Sequence, residues 1–254
     1  MNRKRRRMWG YLMAGAGLLL TGGLGTFAIT HPSARVDARH CEIGRPPPQT
    51  LAIAIDVSDQ LVSSQPREIT YAVQQKLMEL KQGDRVLVVD AAGEPTAETA
   101  PVVDQCDAGD GDNVARNAFQ RSIVRPIEDH LQQLQNQAAS DQSPIAESIL
   151  ALAADQSLHI PGTQLTVLFA TDGLQNSALQ SAYKRGSNFP KPGGTPLKGV
   201  TVELVLMKNA RDLALQPREI PRLREWLTAA GAKVVMSEPG WLILARSQQQ
   251  RARP

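Results

Sequence analysis

Three short clusters of oxygen-bearing side chains stand out. Asp56-Val57-Ser58-Asp59-Gln60 follows the apolar run Leu51 to Ile55, and Thr171-Asp172-Gly173 follows the apolar run Leu165 to Ala170. Ser143-Pro144-Ile145-Ala146-Glu147 lies between two stretches of helical patterning. Carboxylates, hydroxyls and amide carbonyls are hard oxygen donors, and Mg²⁺ takes six of them at about 2.1 Å. A set rich in hydroxyls and poor in carboxylates leaves such an ion electron-poor, so that it completes its shell with a carboxylate from outside. Each cluster alone has a plainer reading. An Asp at a strand end often caps the next helix, and Ser143-Pro144 reads as an N-cap followed by Pro at the first helical position, with Glu147 completing the turn.

The elements that must position these residues follow from hydrophobic patterning. Leu51 to Ile55 (LAIAI) is apolar without alternation, the mark of a central parallel strand covered on both faces. Pro66 to Leu80 places Ile69, Val73, Leu77 and Leu80 at helical spacing, and Gly83 stops it. Arg85 to Val89 predicts a second strand. Ala91 to Asn113, rich in Gly, Pro, Asp and Thr, predicts a long loop that contains Cys106 and has room for one short edge strand. Helices are expected over Val114 to Gln137 and Ile145 to Ala154, a strand over Leu165 to Ala170, another over Val200 to Met207, and a helix over Glu219 to Ala230. Lys233 to Met236 and Trp241 to Ala245 are short strand candidates. No internal repeat is visible. Alternating strands and helices specify an α/β fold: a doubly wound, mostly parallel sheet flanked by helices on both faces. In such sheets ligands bind beyond the carboxyl ends of the strands, where the oxygen-bearing clusters fall.

Taken in order, Asp-x-Ser after the first strand, Ser-Pro-Ile before a central helix and Thr-Asp-Gly after the fourth apolar run resemble the metal-ion-dependent adhesion site of the von Willebrand factor A family. The resemblance covers roughly Leu51 to Ala245. It implies a binding module rather than an enzyme, with Asp56, Ser58, Gln60, Ser143 and Asp172 gathered around Mg²⁺ and a protein partner offering a carboxylate. Two positions depart from the family pattern. Gln60 replaces the second serine, and Ser143 stands where a threonine is expected. Gln60 still offers a carbonyl oxygen, but its longer side chain must fold back to reach the ion. A metal-free structural domain in an envelope assembly is the alternative within the same fold. The rival class is a phosphatase of haloacid dehalogenase type, whose nucleophile is also an Asp ending an apolar strand. It needs a second Asp two residues on, and that position is Ser58.

The chain has 254 residues, enough for one well-buried domain and an appendage. Aromatic residues at 4% argue against an aromatic-lined ligand pocket. The net charge of +3 is misleading, because Arg3, Lys4, Arg5, Arg6 and Arg7 supply five positive charges and leave about −2 for the remainder. That distribution argues against nucleic-acid binding. Met8 to Ile29 runs 22 residues without a charge, about 33 Å as a helix, which is enough to cross a bilayer. The cations before it keep the N-terminus cytoplasmic and place everything from His31 outside, in the periplasm. A cleaved signal peptide ending near Pro32-Ser33-Ala34 is the alternative and exports the domain equally. The expected organisation is a basic tag over 1–7, an inner-membrane anchor over 8–30, a Pro-containing linker over 31–49, the domain over 50–246 and a disordered tail over 247–254. Cys41 and Cys106, an even pair in an exported chain, are expected to form a disulfide that pins the long loop to the incoming linker. His40, His130 and His159 share no spacing and are expected to face solvent.

Overall fold

The computed structural model describes residues 35–58, 61, 64–91, 101–107, 113–136, 140, 142–236 and 239–242. The expected anchor over 8–30, Gln60 and the tail over 247–254 lie outside the described residues. Among those described, no helix is long and apolar enough to cross a membrane.

Ten elements follow one another among the described residues: β1 (Gln49–Asp56), α1 (Gln65–Leu77), β2 (Arg85–Ala91), β3 (Val103–Cys106), α2 (Asn113–Leu134), α3 (Ile145–Ala154), β4 (Gln164–Thr171), β5 (Val200–Leu206), α4 (Gln216–Ala229) and β6 (Lys233–Met236). They build one six-stranded sheet in the order β3-β2-β1-β4-β5-β6. Every neighbouring pair is parallel except β2 with β3. This is the doubly wound, mostly parallel sheet expected from the alternation of elements. Its order reverses between β1 and β4, so the connections leaving the carboxyl ends of those two paired strands run to opposite sides and leave a crevice.

The residues of β1 show why the sheet is buried on both sides. Leu51, Ile53 and Ile55 face one layer, packed with Ile69, Val73 and Leu77 of α1 and with Ile123, Ile127 and Leu131 of α2. Ala52 and Ala54 face the other, a layer that also holds Phe169, Ile149 of α3 and Leu223 and Trp226 of α4. Residues two apart share a face of a strand and residues four apart share a face of a helix, so both layers can be read from spacing.

The short edge strand β3 is fixed by contacts beyond its ladder with β2. Arg85, only 6% exposed, grips Asp104 with Nε and Nη2 at 2.7 and 2.9 Å and donates Nη1 to the Ser157 carbonyl at 2.8 Å. The Cys106 N–H donates to the Arg39 carbonyl at 2.8 Å. Cys41 and Cys106 form the expected disulfide, with Cα atoms 5.0 Å apart. Cys106 therefore sits on the last residue of a paired strand rather than in a loop. Asp37 organises the turn that delivers Cys41. It accepts N–H bonds from Arg39 and Cys41 and pairs with the Arg39 guanidinium, and the Cys41 bond chiefly holds its carboxyl below the usual range.

Two expectations fail. Trp241 and Leu242 lie in a helical turn rather than a strand, because Leu242 is fully buried against the α3/α4 layer and its N–H closes onto the Pro239 carbonyl. His130 does not face solvent. It is half-buried, with Nε2 2.6 Å from Asp90 Oδ1, so it ties α2 to the end of β2. His159 is also half-buried and meets the Ala153 carbonyl, whereas His40 is exposed.

The disulfide closes a separation of 65 residues, and chain entropy puts its contribution at about 4 kcal/mol. A reductant, or Cys41→Ala with Cys106→Ala, should lower the urea midpoint accordingly. An unchanged midpoint would show that β3 holds without the crosslink.

Candidate functional site

The crevice between β1 and β4 is floored by a buried carboxylate. Asp56 ends β1 and is 3% exposed. Its Oδ2 accepts the Ser143 hydroxyl at 2.8 Å and the Thr171 hydroxyl at 2.7 Å, and its Oδ1 accepts the Ser58 N–H at 3.0 Å. Burial pushes the Asp56 carboxyl up, while its hydroxyl and N–H donors pull it back. Segments far apart in sequence thus meet on one side chain. The bonds orient the hydroxyls: their protons point at Asp56, so their remaining lone pairs turn away from it.

Ser143 is not a helix cap. The N-cap of α3 is Pro144, without a side-chain capping bond. Ser143 is instead stitched to the loop after β4 by paired backbone bonds with Asn176 at 2.8 and 2.9 Å. Gln175, 1% exposed, takes the capping role from outside the helix: its Oε1 accepts the Ala146 N–H at 2.8 Å. Its Nε2 donates to Glu147 at 2.7 Å, and Ser177 donates to the same carboxylate. Glu147 is therefore spent on this loop and does not complete a turn with Ser143.

Asp172, 6% exposed, follows β4. Its Oδ1 accepts the Leu174 N–H at 2.8 Å and its Oδ2 accepts Asn209 Nδ2 at 2.7 Å. Gly173 makes the turn possible. Its φ is +75°, and a Cβ there would come within 2.7 Å of Ile220 Cγ1. Asp56, Ser58 and Asp172 line a cavity of about 170 Å³ that is bounded on its far side by Met207 to Arg211. Ser58, Ser143 and Asp172 also line an adjoining cavity of about 230 Å³.

Four of the expected site residues, Asp56, Ser58, Ser143 and Asp172, are therefore brought to one place, while Gln60 lies outside the described residues. The donors are hydroxyls and carboxylates only, a set that fits a hard cation such as Mg²⁺. Among the described residues no group of three His, Cys, Asp or Glu side chains is placed to hold a metal ion. Thr171 belongs with the set, because its hydroxyl shares Asp56 Oδ2 with Ser143.

Sequence reasoning missed the amides. Gln216, fully buried, donates Nε2 to the Asp172 and Met207 carbonyls at 2.7 and 2.8 Å, and its Oε1 accepts the Asn209 N–H at 3.1 Å. Gln65, 7% exposed, donates Nε2 to the Lys208 carbonyl at 3.1 Å. Both glutamines open helices with the same five residues, Gln-Pro-Arg-Glu-Ile, over 65–69 and 216–220. That recurrence is the signal that would have exposed the pair.

No family model matches this chain, and no curated protein matches it. Several solved structures resemble this chain, each at a TM-score below 0.5. An aerotolerance-related membrane protein from Bacteroides fragilis is 13% identical, with a TM-score of 0.39 over 80% of this chain and 97% of that one. The conserved hypothetical protein BatB from Bacteroides thetaiotaomicron is 14% identical, with a TM-score of 0.42 over 81% of this chain and all of that one. A von Willebrand factor type A structure from Catenulispora acidiphila is 14% identical, with a TM-score of 0.37 over 80% of this chain and 41% of that one.

Two outcomes follow from this geometry. Asp56 and Asp84 both have carboxyls raised above 3.8, chiefly by burial, so the folded chain keeps these protons to higher pH than the unfolded chain does. Their contribution is most favourable below about 3.8 and declines as pH rises through the folded-state value. Without divalent ions, the urea midpoint of Asp56→Asn should thus fall less with rising pH than that of the native protein. Superimposable profiles would contradict a buried, ionised Asp56. Separately, Gln216→Ala strands two carbonyls and an N–H and should cost about 2–4 kcal/mol, more than Gln65→Ala, by chemical denaturation.

Proposed function

We propose that this chain is a protein-binding module of von Willebrand factor A type, tethered to a bacterial inner membrane by Met8 to Ile29 with its domain in the periplasm. In this reading it meets its partner at the carboxyl edge of the sheet and holds Mg²⁺ there through Asp56, Ser58, Ser143 and Asp172. The observation that carries it is the meeting of Ser143 and Thr171 hydroxyls on one oxygen of Asp56, beside a cavity that Asp56 shares with Ser58 and Asp172. The ion would supply an electrophilic centre for a partner's carboxylate. Asp56 would position the hydroxyls, and Gln175 and Asn209 would hold the loops that carry Ser143 and Asp172. A binding role fits better than hydrolysis. Asp56 is closed in by hydroxyl and N–H donors, and Ser58 stands where a dehalogenase-type phosphatase would carry its general acid.

One observation favours the metal-free alternative. Both carboxylate oxygens of Asp172 already accept N–H bonds, from Leu174 and Asn209. Titration calorimetry and melting curves with Mg²⁺ separate the two readings. Mg²⁺ at a hundredfold excess over its Kd should stabilise the protein by about 2.7 kcal/mol, and Asp56→Ala should abolish the response. No heat and no shift at millimolar Mg²⁺ would leave the metal-free module. A reporter fused after Pro254 tests the topology, since activity in the cytoplasm would refute export.

A further inference from the structure

Charge is divided between the two halves of this domain. Residues 35–173 carry 10 Lys and Arg against 20 Asp and Glu, whereas residues 174–254 carry 13 against 5. Between Asp172 and Glu203 lie four cations, Lys184, Arg185, Lys191 and Lys198, and no acidic residue. All four are exposed, and none makes a side-chain hydrogen bond or ion pair among the described residues.

The fold spreads these four along one flank. Their segment is fastened to α4 at Ala182, Ser187 and Pro190 through Arg218, Arg222 and Trp226, and the Leu197 N–H donates to the Ala230 carbonyl. A helix rises about 18 Å from residue 218 to residue 230, so the cations form a track of about that length. Nearby acidic groups do not cancel it. Glu219 is buried between Arg218 and Arg222, two cations to one carboxylate, and Glu203 pairs with Lys76 on the other face of the sheet. Asp212 meets the Tyr183 hydroxyl at one end of the track, which leaves Glu225 as the exposed carboxylate of α4. Residues 142–236 are described without a gap. The undescribed acidic residues therefore belong to connections leaving β1, β2, β3 or α2, except Glu238, which is accompanied by Arg246, Arg251 and Arg253.

The chemistry of the track selects its occupant. The centre of a protein interface is depleted of Lys and built around apolar or aromatic anchors. Among the described residues between β4 and β6, Tyr183 is the one large apolar side chain that is exposed. A layer of lipid phosphates asks for the opposite, hydrated cations spread over its surface. The eight residues from Ile29 to Asp37 reach at most about 28 Å, so the proposed anchor keeps a bilayer close by. Contacts that are weak singly then suffice, because the tether supplies the surface at high effective concentration.

We infer that the Lys184–Lys198 flank lies on an anionic phospholipid surface, with Lys184, Arg185, Lys191 and Lys198 against the headgroup phosphates. This rests on the reading of Met8 to Ile29 as an anchor, and it does not require Mg²⁺ at the carboxyl edge. Because α4 joins the parallel strands β5 and β6, it runs back along the sheet. With α4 on the lipid the strands lie along the membrane plane, and the candidate site opens sideways, toward a partner held in the same membrane.

The test uses the full chain in nanodiscs of phosphatidylcholine, or of equal parts phosphatidylcholine and phosphatidylglycerol, with brief acetylation read lysine by lysine by mass spectrometry. On the anionic discs Lys184, Lys191 and Lys198 should react about fivefold more slowly than on the neutral ones, the scale of one lysine held at such a surface. The exposed Lys81 should react equally on both. Salt should remove the protection. Lys191→Glu with Lys198→Glu should remove it at Lys184 with an unchanged melting temperature, since both positions are exposed. Equal reactivity on the two discs, or protection of Lys184 that survives the double substitution, overturns the inference. Protection that is as strong on neutral discs and grows with protein concentration would make the occupant a second copy and reject the lipid. A chain that neither disc retains refutes the anchor instead. The flank is then judged by flotation: rising with phosphatidylglycerol vesicles but not with phosphatidylcholine vesicles upholds it, and rising with neither rejects it.

Discussion

A carboxylate placed inside a protein must be surrounded by donors, and that requirement at Asp56 organises the carboxyl edge of this sheet. An unpaired charge at 3% exposure would be prohibitively costly. Nearby hydroxyls and a backbone N–H meet the cost, and each must come from a segment that reaches the end of β1. Thr171 does so because β4 pairs directly with β1. Ser143 is reached only because its loop is bonded to Asn176, which follows the Asp172-Gly173 turn. Satisfying one oxygen pair thus fixes the relative positions of the β1 end, the β4 end and the start of α3.

The fold was legible where the physics is local. A central parallel strand buried on both faces needs an unbroken apolar run, and LAIAI and LTVLFA are such runs, each ended by an Asp or Thr-Asp-Gly. Helices with apolar residues three and four apart were found within a few residues of their observed limits. The edge strand Val103–Cys106 was visible only as one short strand somewhere in a long loop, because its stability comes from Arg85, the disulfide and Arg39, none of which leaves a periodic mark. The helical turn at Trp241 and Leu242 failed for a related reason: a short apolar stretch suits a strand or a helical turn, and burial of Leu242 decided it.

The candidate site divides the same way. Asp56, Ser58, Ser143 and Asp172 follow strands or precede a helix at recognisable positions, so their type and order could be read. Gln175, Asn209, Gln216 and Gln65 could not, since an amide in a loop or at a helix start has many partners available to it and only the folded chain selects one. The repeated Gln-Pro-Arg-Glu-Ile shows how far local sequence goes. In both copies the Gln and the Ile are buried, as the first turn of a helix packed on the sheet requires. The glutamates diverge: Glu68 is exposed, whereas Glu219 is 3% exposed and meets Arg218 and Arg222. Identical residues take different roles because different chain passes over them.

What passes over α4 is the long excursion between β4 and β5, and its attachment explains how an irregular segment can support a precise site. Arg218, Arg222 and Trp226 lie four residues apart on one helical face. They donate in turn to the carbonyls of Ala182, Ser187 and Pro190 at 3.2, 3.2 and 2.8 Å. Trp226 also stacks on Phe189 with ring centroids 5.4 Å apart. A loop with few backbone ladder bonds of its own is thereby held along its length by a helix seated on the core. Its opening residues, Leu174 to Ser177, bond Asp172, cap α3 and hold Ser143. The first turn of that same helix carries Gln216, which holds the Met207–Asn209 loop on the opposite side of the crevice. Both walls of the crevice are thus referenced to α4, so the cavities between them keep their shape without regular structure in either wall.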